Sequence, residues 1–297
     1  MSVFHLLVPD FSLIMLGFLL SRYGNFGGHF WSGVEKLVYF ILFPALLFYT
    51  TAKTQFDFHA TGKLLITGVL TTFAAIVLGT LCRFIFFNPG KTFVSGVQTA
   101  FRFNSYIALA VASRIAGEQG TALMALLIGF LVPVCNIAAV FALARNSGRL
   151  LKEIASNPLV VGTASGVACS LAGISLPDDL SATLSRLGNA SIAMGLLAVG
   201  AGLRLSALHE ARGLAAGFLA IKLLIAPAIG MLLGTLLQLP LLQLQIAVLF
   251  CALPTASSAY VLAARMGGNG PYVAFLISAS TLLSALTLPL WLHLVQP

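Results

Sequence analysis

Two stretches of this chain place polar residues where an apolar helix would have no use for them. The first reads Ser95-Gly96-Val97-Gln98-Thr99-Ala100-Phe101-Arg102-Phe103-Asn104-Ser105-Tyr106, and the second reads Ala252-Leu253-Pro254-Thr255-Ala256-Ser257-Ser258-Ala259-Tyr260. Pro254 has no backbone N–H and crowds the turn before it. Asn104, Ser105, Thr255 and Ser257 are residue types that cap a new helical start. If both helices break at these points, two half-helix N-termini converge, each with unpaired N–H groups and partial positive charge. Such a place suits an anion. The blander reading is that Ser and Thr bond back to their own helices while Pro254 only bends its own. The placement of Asn104 and Thr255 151 residues apart, in register with a repeat described below, favours the break.

Arg102 adds a fixed charge to the same stretch. It stands 11 residues past Lys91, about 16 Å along a helix rising 1.5 Å per residue, too deep to snorkel to water. An ionisable residue at that depth faces a cavity or a partner. Lys222 is similar, although its longer stem can reach toward an interface. The eight acidic residues, Asp10, Glu35, Asp57, Glu118, Glu153, Asp178, Asp179 and Glu210, fall in loops or near the ends of apolar runs. No carboxylate relay crosses the apolar depth, which argues against paired-carboxylate cation antiport and against acid/base hydrolysis.

A serine hydrolase is the main competitor from another class. Gly162-Thr163-Ala164-Ser165-Gly166 resembles a serine elbow, but Thr163 stands where the motif needs glycine. His5, His29, His59, His209 and His293 all lie near run ends, where none is placed to activate a deep serine. The Gly162/Gly166 and Gly230/Gly234 spacings fit close helix packing instead. Cys82, Cys135, Cys169 and Cys251 lie in apolar runs without CxxC pairs and read as packing residues. No metal or cofactor motif is present, and no nucleic-acid motif accompanies the basic charge.

The elements that must position these groups follow from composition. Of 297 residues 59% are hydrophobic and 8% charged, with a mean hydropathy of +1.01, far from the roughly 25% charged residues of a soluble domain. The chain is an all-α polytopic membrane protein, a single membrane domain over 1–297. A window of about 20 residues places spans at 3–20, 35–51, 63–82, 93–113, 120–143, 157–174, 183–203, 212–236, 241–264 and 271–294. The first run lacks a basic leader and a cleavage site, so it reads as a mature helix.

The two halves of the chain match. Pro9, Gly17 and Gly24 correspond to Pro158, Gly166 and Gly173 at an offset of 149; Leu37-Val38-Tyr39-Phe40 falls on Leu187-Gly188-Asn189-Ala190 at 150; Ser113 to Gly117 falls on Ala264 to Gly268 at 151. An odd number of spans per half inverts the second copy, giving a 5+5 inverted repeat with halves 1–143 and 157–294 joined by a cytoplasmic loop at 144–156. Ten Lys and Arg, at 22, 36, 83, 91, 145, 149, 152, 204, 212 and 265, fall on one side, and four, at 53, 63, 114 and 186, on the other. The first side is therefore cytoplasmic and both termini face outward.

The chain resembles the auxin efflux carrier family, which includes the plant PIN proteins and bacterial proteins named as malonate transporters. The resemblance is carried by Leu37 to Leu46 in the second span, Phe101 to Leu109 in the fourth, Asn157-Pro158-Leu159-Val160 opening the sixth, Ala198 to Leu203 closing the seventh, and Leu253-Pro254-Thr255-Ala256 with Tyr260 to Ala263 in the ninth. It covers essentially the whole chain. It implies a fold akin to sodium/proton antiporters and bile-acid transporters, with the fourth and ninth helices crossing as broken helices at a substrate site, and a transport part distinct from a scaffold part. Asn104 and Pro254 match the family's crossover positions and Pro44 its second-span proline. Phe103 replaces a proline of plant members, which weakens the case for a break in the fourth helix, and Met194 stands at the repeat counterpart of Pro44.

The resulting expectation is a secondary transporter, not an enzyme, that moves a small organic carboxylate anion across the cytoplasmic membrane by alternating access, in the export direction. Its site residues are Arg102, Asn104, Ser105, Pro254, Thr255, Ser257, Ser258 and Pro44, with no cofactor and no bound metal. Its partners are the substrate, the lipid bilayer and a coupling ion, sodium or proton, if there is one; a homodimer stays open. The alternatives are a sodium-coupled symporter of the bile-acid type, an intramembrane serine hydrolase, and a ligand-sensing receptor on the same scaffold.

Overall fold

The computed structural model describes residues 3–53, 58–86, 90–143, 158–203, 211–256, 258–265 and 267–296. Regular structure among them is helical, with no strand. The expected joining loop 144–156 and Ser257 lie outside the described residues. The helices are α1 (Val3–Tyr23), α2 (Gly28–Leu37), α3 (Phe43–Lys53), α4 (Phe58–Phe86), α5 (Lys91–Gly96), α6 (Ser105–Leu143), α7 (Pro158–Leu171), α8 (Asp178–Ala201), α9 (Arg212–Ala220), α10 (Ala226–Leu236), α11 (Leu241–Ala252), α12 (Ser258–Arg265) and α13 (Gly270–Leu294). Among the described residues six helical stretches are long and apolar enough to cross a membrane, and the shorter apolar helices at 11–23, 161–171 and 241–252 add to them. The chain is a multi-pass membrane protein.

Local chemistry explains where these helices bend. α6 is two helices meeting at Ala116 (φ −148°) and Gly117 (φ 54°), a left-handed position that glycine occupies without a Cβ clash. This junction falls between the spans expected at 93–113 and 120–143. Two π-helical turns, Val38–Leu42 and Ile221–Ile225, run directly into Phe43-Pro44 and Ala226-Pro227. In each case proline withholds an N–H and presses on the preceding turn, so the helix widens there. Lys222 sits in the second of these turns and is 4% exposed. It does not extend toward an interface, contrary to the reach its stem allows, because the widened turn keeps it inside.

The chain divides into two compact units. The first comprises 1–62, 106–130 and 151–202. Its helices approach backbone to backbone at glycine. The Cα of Gly17 abuts the Leu197 backbone and that of Gly200 abuts Ile14, which brings α1 against α8. A Cβ on Gly162 would stand 2.8 Å from the Pro44 carbonyl oxygen, and Gly166 packs against Phe48 and Thr51 in the same way. The Gly162/Gly166 pair is therefore a packing motif, as its spacing predicts.

The second unit comprises 63–105, 131–150 and 203–297. Its interior holds the largest concentration of buried polar side chains. Gln98, Thr99, Thr255, Ser278, Ser280, Thr281 and Ser284 are all 2% exposed or less.

Candidate functional site

Both polar stretches are interrupted, and both interruptions lie in the second unit. α5 tightens into a 3₁₀ turn at Val97–Ala100, and helix resumes only at Ser105. α11 stops at Ala252, where Leu253 turns extended (ψ 143°), and helix resumes at Ser258. Pro254 accounts for the second break locally. The first has no proline, and its cause is tertiary. The Asn104 N–H donates to the Pro254 carbonyl at 2.8 Å, and the Thr255 hydroxyl donates to the Thr99 carbonyl at 2.8 Å. Each interrupted backbone thus satisfies groups of the other, which is what non-helical backbone at membrane depth requires.

Arg102 ties the breaks together. Its side chain is 8% exposed; one terminal nitrogen donates to Gln98 Oε1 at 3.2 Å and the other to Ser258 Oγ at 3.0 Å. Its backbone N–H donates to the Gln98 carbonyl at 3.0 Å, an i→i−4 bond just past the 3₁₀ turn that Phe101 N–H closes on the same carbonyl at 3.4 Å. Gln98 in turn donates to the Ala259 carbonyl at 3.2 Å. The Thr255 N–H donates to Ser280 Oγ at 3.1 Å. The Cys135 thiol points at the Phe101 carbonyl, 3.5 Å away.

Of the residues expected at the site, Arg102, Asn104, Ser105, Pro254, Thr255 and Ser258 come together in the second unit. Asn104 and Thr255 are buried, at 2% and 1% exposure; Ser105 is half-buried and Ser258 exposed at the start of α12. Ser257 lies outside the described residues. Pro44 belongs to the first unit, where Gly162 packs against its backbone. Gln98, Thr99 and Ser280 are further members. A sequence signal for them exists: Gln98 is a buried amide in an apolar run, and Ser278, Ser280, Thr281 and Ser284 form a polar stripe within the last span.

Charge is divided unevenly between the units. Within the residue ranges of the first fall six Lys or Arg and seven Asp or Glu, a formal −1; within those of the second fall ten Lys or Arg and one acid, Glu210, a formal +9. The buried crossover therefore carries a cation and helix N-termini in a unit almost free of carboxylates. Among the described residues no group of three His, Cys, Asp or Glu comes together that could hold a metal ion. Ser165, the serine of the elbow-like stretch, donates back to the Val161 carbonyl at 2.7 Å in its own helix.

A family model described as "Membrane transport protein" matches residues 142–292. The chain belongs to this family. It is the auxin efflux carrier family, and its members are transporters rather than enzymes. A protein of Rhizobium meliloti (strain 1021) named "Putative malonate transporter" is 24% identical over 309 aligned residues, covering 98% of this chain and 95% of its own. A protein of Methanothermobacter thermautotrophicus named "Uncharacterized transporter" is 25% identical over 294 residues, covering 94% of each chain. The auxin efflux carrier match falls on the second half, which contains Pro254, Thr255 and Ser258; the two relatives extend the similarity over the first half and Asn104 as well.

Proposed function

We propose that this chain is a secondary transporter of a small organic carboxylate anion, working by alternating access through displacement of the unit that carries the crossover. The observation that carries this reading is Arg102, buried and bridging two interrupted helices in a unit whose sequence holds a single acidic residue. An anion entering there meets helix N-termini at Ser105 and Ser258 and no competing carboxylate among the described residues. The name of the Rhizobium relative supports a dicarboxylate of malonate size.

The same reading takes the chain as ten spans in a five-plus-five inverted repeat in the cytoplasmic membrane, with both termini outside. The matching glycines and prolines and the asymmetry of Lys and Arg support it. Movement is driven by membrane potential and the substrate gradient, since no carboxylate among the described residues is buried to carry a proton. One charge crossing 100 mV is worth about 2.3 kcal/mol, and an inside-negative potential favours export.

Two measurements test the reading. A thermal-shift screen of mono- and dicarboxylates on purified protein identifies the substrate, because a ligand of the native state raises apparent stability. Asn104→Ala keeps its backbone bond to Pro254 and should lose that shift while melting normally in the absence of ligand. Solid-supported-membrane recordings on proteoliposomes should then give substrate-induced current without a sodium or proton gradient. A strict sodium requirement would replace uniport with symport, and binding without counterflow-capable flux would make the protein a sensor.

A further inference from the structure

Lys222 is the buried charge that the crossover leaves unused. Its side chain lines a small cavity inside the second unit together with Thr71, Thr72, Phe101, Phe250 and Cys251. The cavity measures about 10 Å³, which is room for a single water-sized atom. No described residue shares a hydrogen bond with the Lys222 ammonium, and no described carboxylate adjoins it. Thr71 Oγ1 is also buried without a hydrogen-bond partner. It stands beside Cys251 Sγ where Gly230 leaves space: a Cβ on Gly230 would lie 2.6 Å from that sulfur and 3.7 Å from the Thr71 oxygen.

A buried ammonium without a counter-charge either gives up its proton or takes an anion. Without its proton the amine could itself accept from the Thr71 hydroxyl, an alternative that the chloride experiment below separates from anion binding. A single anion satisfies both groups, and everything else around the cavity is compatible with it: a second hydroxyl at Thr72, a thiol at Cys251, and the rings of Phe101 and Phe250, whose edges carry positive charge. The small volume favours a monatomic ion over a carboxylate. We propose that the Lys222 cavity binds a monatomic anion of chloride size, separate from the crossover site, and that this anion keeps Lys222 charged. The proposal goes beyond the transport reading and stands whether or not a carboxylate is the substrate.

The test uses the purified full-length protein in chloride and in gluconate at equal ionic strength. The unfolding midpoint should rise with the logarithm of chloride concentration once the site begins to fill, bromide should replace chloride, and gluconate should not. Lys222→Met should abolish the chloride dependence. Asn104→Ala should retain it, so failure at the crossover and failure at this cavity are told apart. Should Lys222→Met not fold, Thr71→Val should weaken the apparent chloride affinity about tenfold, the worth of one hydrogen bond to a charged group. Bromide-soaked crystals should show anomalous density beside Lys222 Nζ. A wild type indifferent to chloride, a chloride response that survives Lys222→Met, or a midpoint that depends on pH at this lysine and not on chloride would each overturn the proposal.

Discussion

The indole N–H of Trp291 donates to the carbonyl of Leu223 at 2.8 Å. That carbonyl is four residues before Pro227, so it is the one that Pro227, lacking an N–H, leaves without its helical donor. A side chain from α13 thus completes the π-helical turn that holds Lys222. Trp291→Phe keeps most of the ring and removes the donor, and it should lower stability by about 1–3 kcal/mol, the cost of an unsatisfied buried carbonyl. Adding Pro227→Ala restores a backbone donor to the turn and should recover part of the loss. Denaturant melts of the two single variants and the double variant measure this, and an additive double variant would show that the two residues do not share the carbonyl.

Arg102 is held by two partners at once, Gln98 and Ser258. Arg102→Lys keeps the charge, but a lysine has one nitrogen and no fork. We expect KM for the carboxylate identified by thermal shift to rise about tenfold or more, the worth of roughly 1.4 kcal/mol, while Ser258→Ala gives a smaller rise. Uptake kinetics in proteoliposomes decide it, and unchanged KM in Arg102→Lys would leave Arg102 with a charge role alone.

Two glycines of the first unit should respond in opposite directions. Gly162→Ala drives a methyl against the Pro44 carbonyl, 2.8 Å away, and should cost about 1–3 kcal/mol as an overpacked contact does. Gly33 is exposed in α2, and a methyl added there would meet nothing within 4 Å, so Gly33→Ala should stabilise by about 0.5–1 kcal/mol. Thermal melts of the two variants in the same detergent provide the comparison.

Ser165 spends its hydroxyl proton on its own helix. Ser165→Ala should leave transport unaltered, and a fluorophosphonate probe should not label the wild type. Stoichiometric labelling at Ser165 would contradict the assignment to a transporter without enzymatic chemistry.

What is legible in the sequence is whatever local chemistry decides. Arg212 and the Gln238-Leu239-Pro240 turn bracket an apolar run, so the helical stretch 212–236 is placed to the residue. The break at Pro254 is legible for the same reason. The break at Phe101 to Asn104 is weaker in the sequence, since Phe103 gives no signal of its own and the interruption depends on Pro254, 150 residues away from Asn104. Gln98 and Ser280 stand out as polar residues in apolar runs, but their partners, Ala259 and Thr255, are tertiary and no window of sequence contains them. Lys222 reads in sequence as a residue able to snorkel, because the π-turn that retains it is a consequence of Pro227 acting on a helix whose surroundings no window of sequence contains.

The bond between Asn104 and Pro254 also bears on how the molecule is made. A nascent chain that has released only its first half contains no Pro254 carbonyl and no Thr255 hydroxyl. With phenylalanine rather than proline at 103, residues 91–116 can then lie in the bilayer as one unbroken helix with every internal N–H and carbonyl paired, which is the state lipid favours. Arrival of the second half supplies the competing acceptor and donor, and the earlier helix is opened by the later one. Closing so long a loop is slow and entropically costly, so the crossover is expected to form late, and a chain stalled before residue 254 lacks the partners that meet Asn104 and Thr99 in the folded protein.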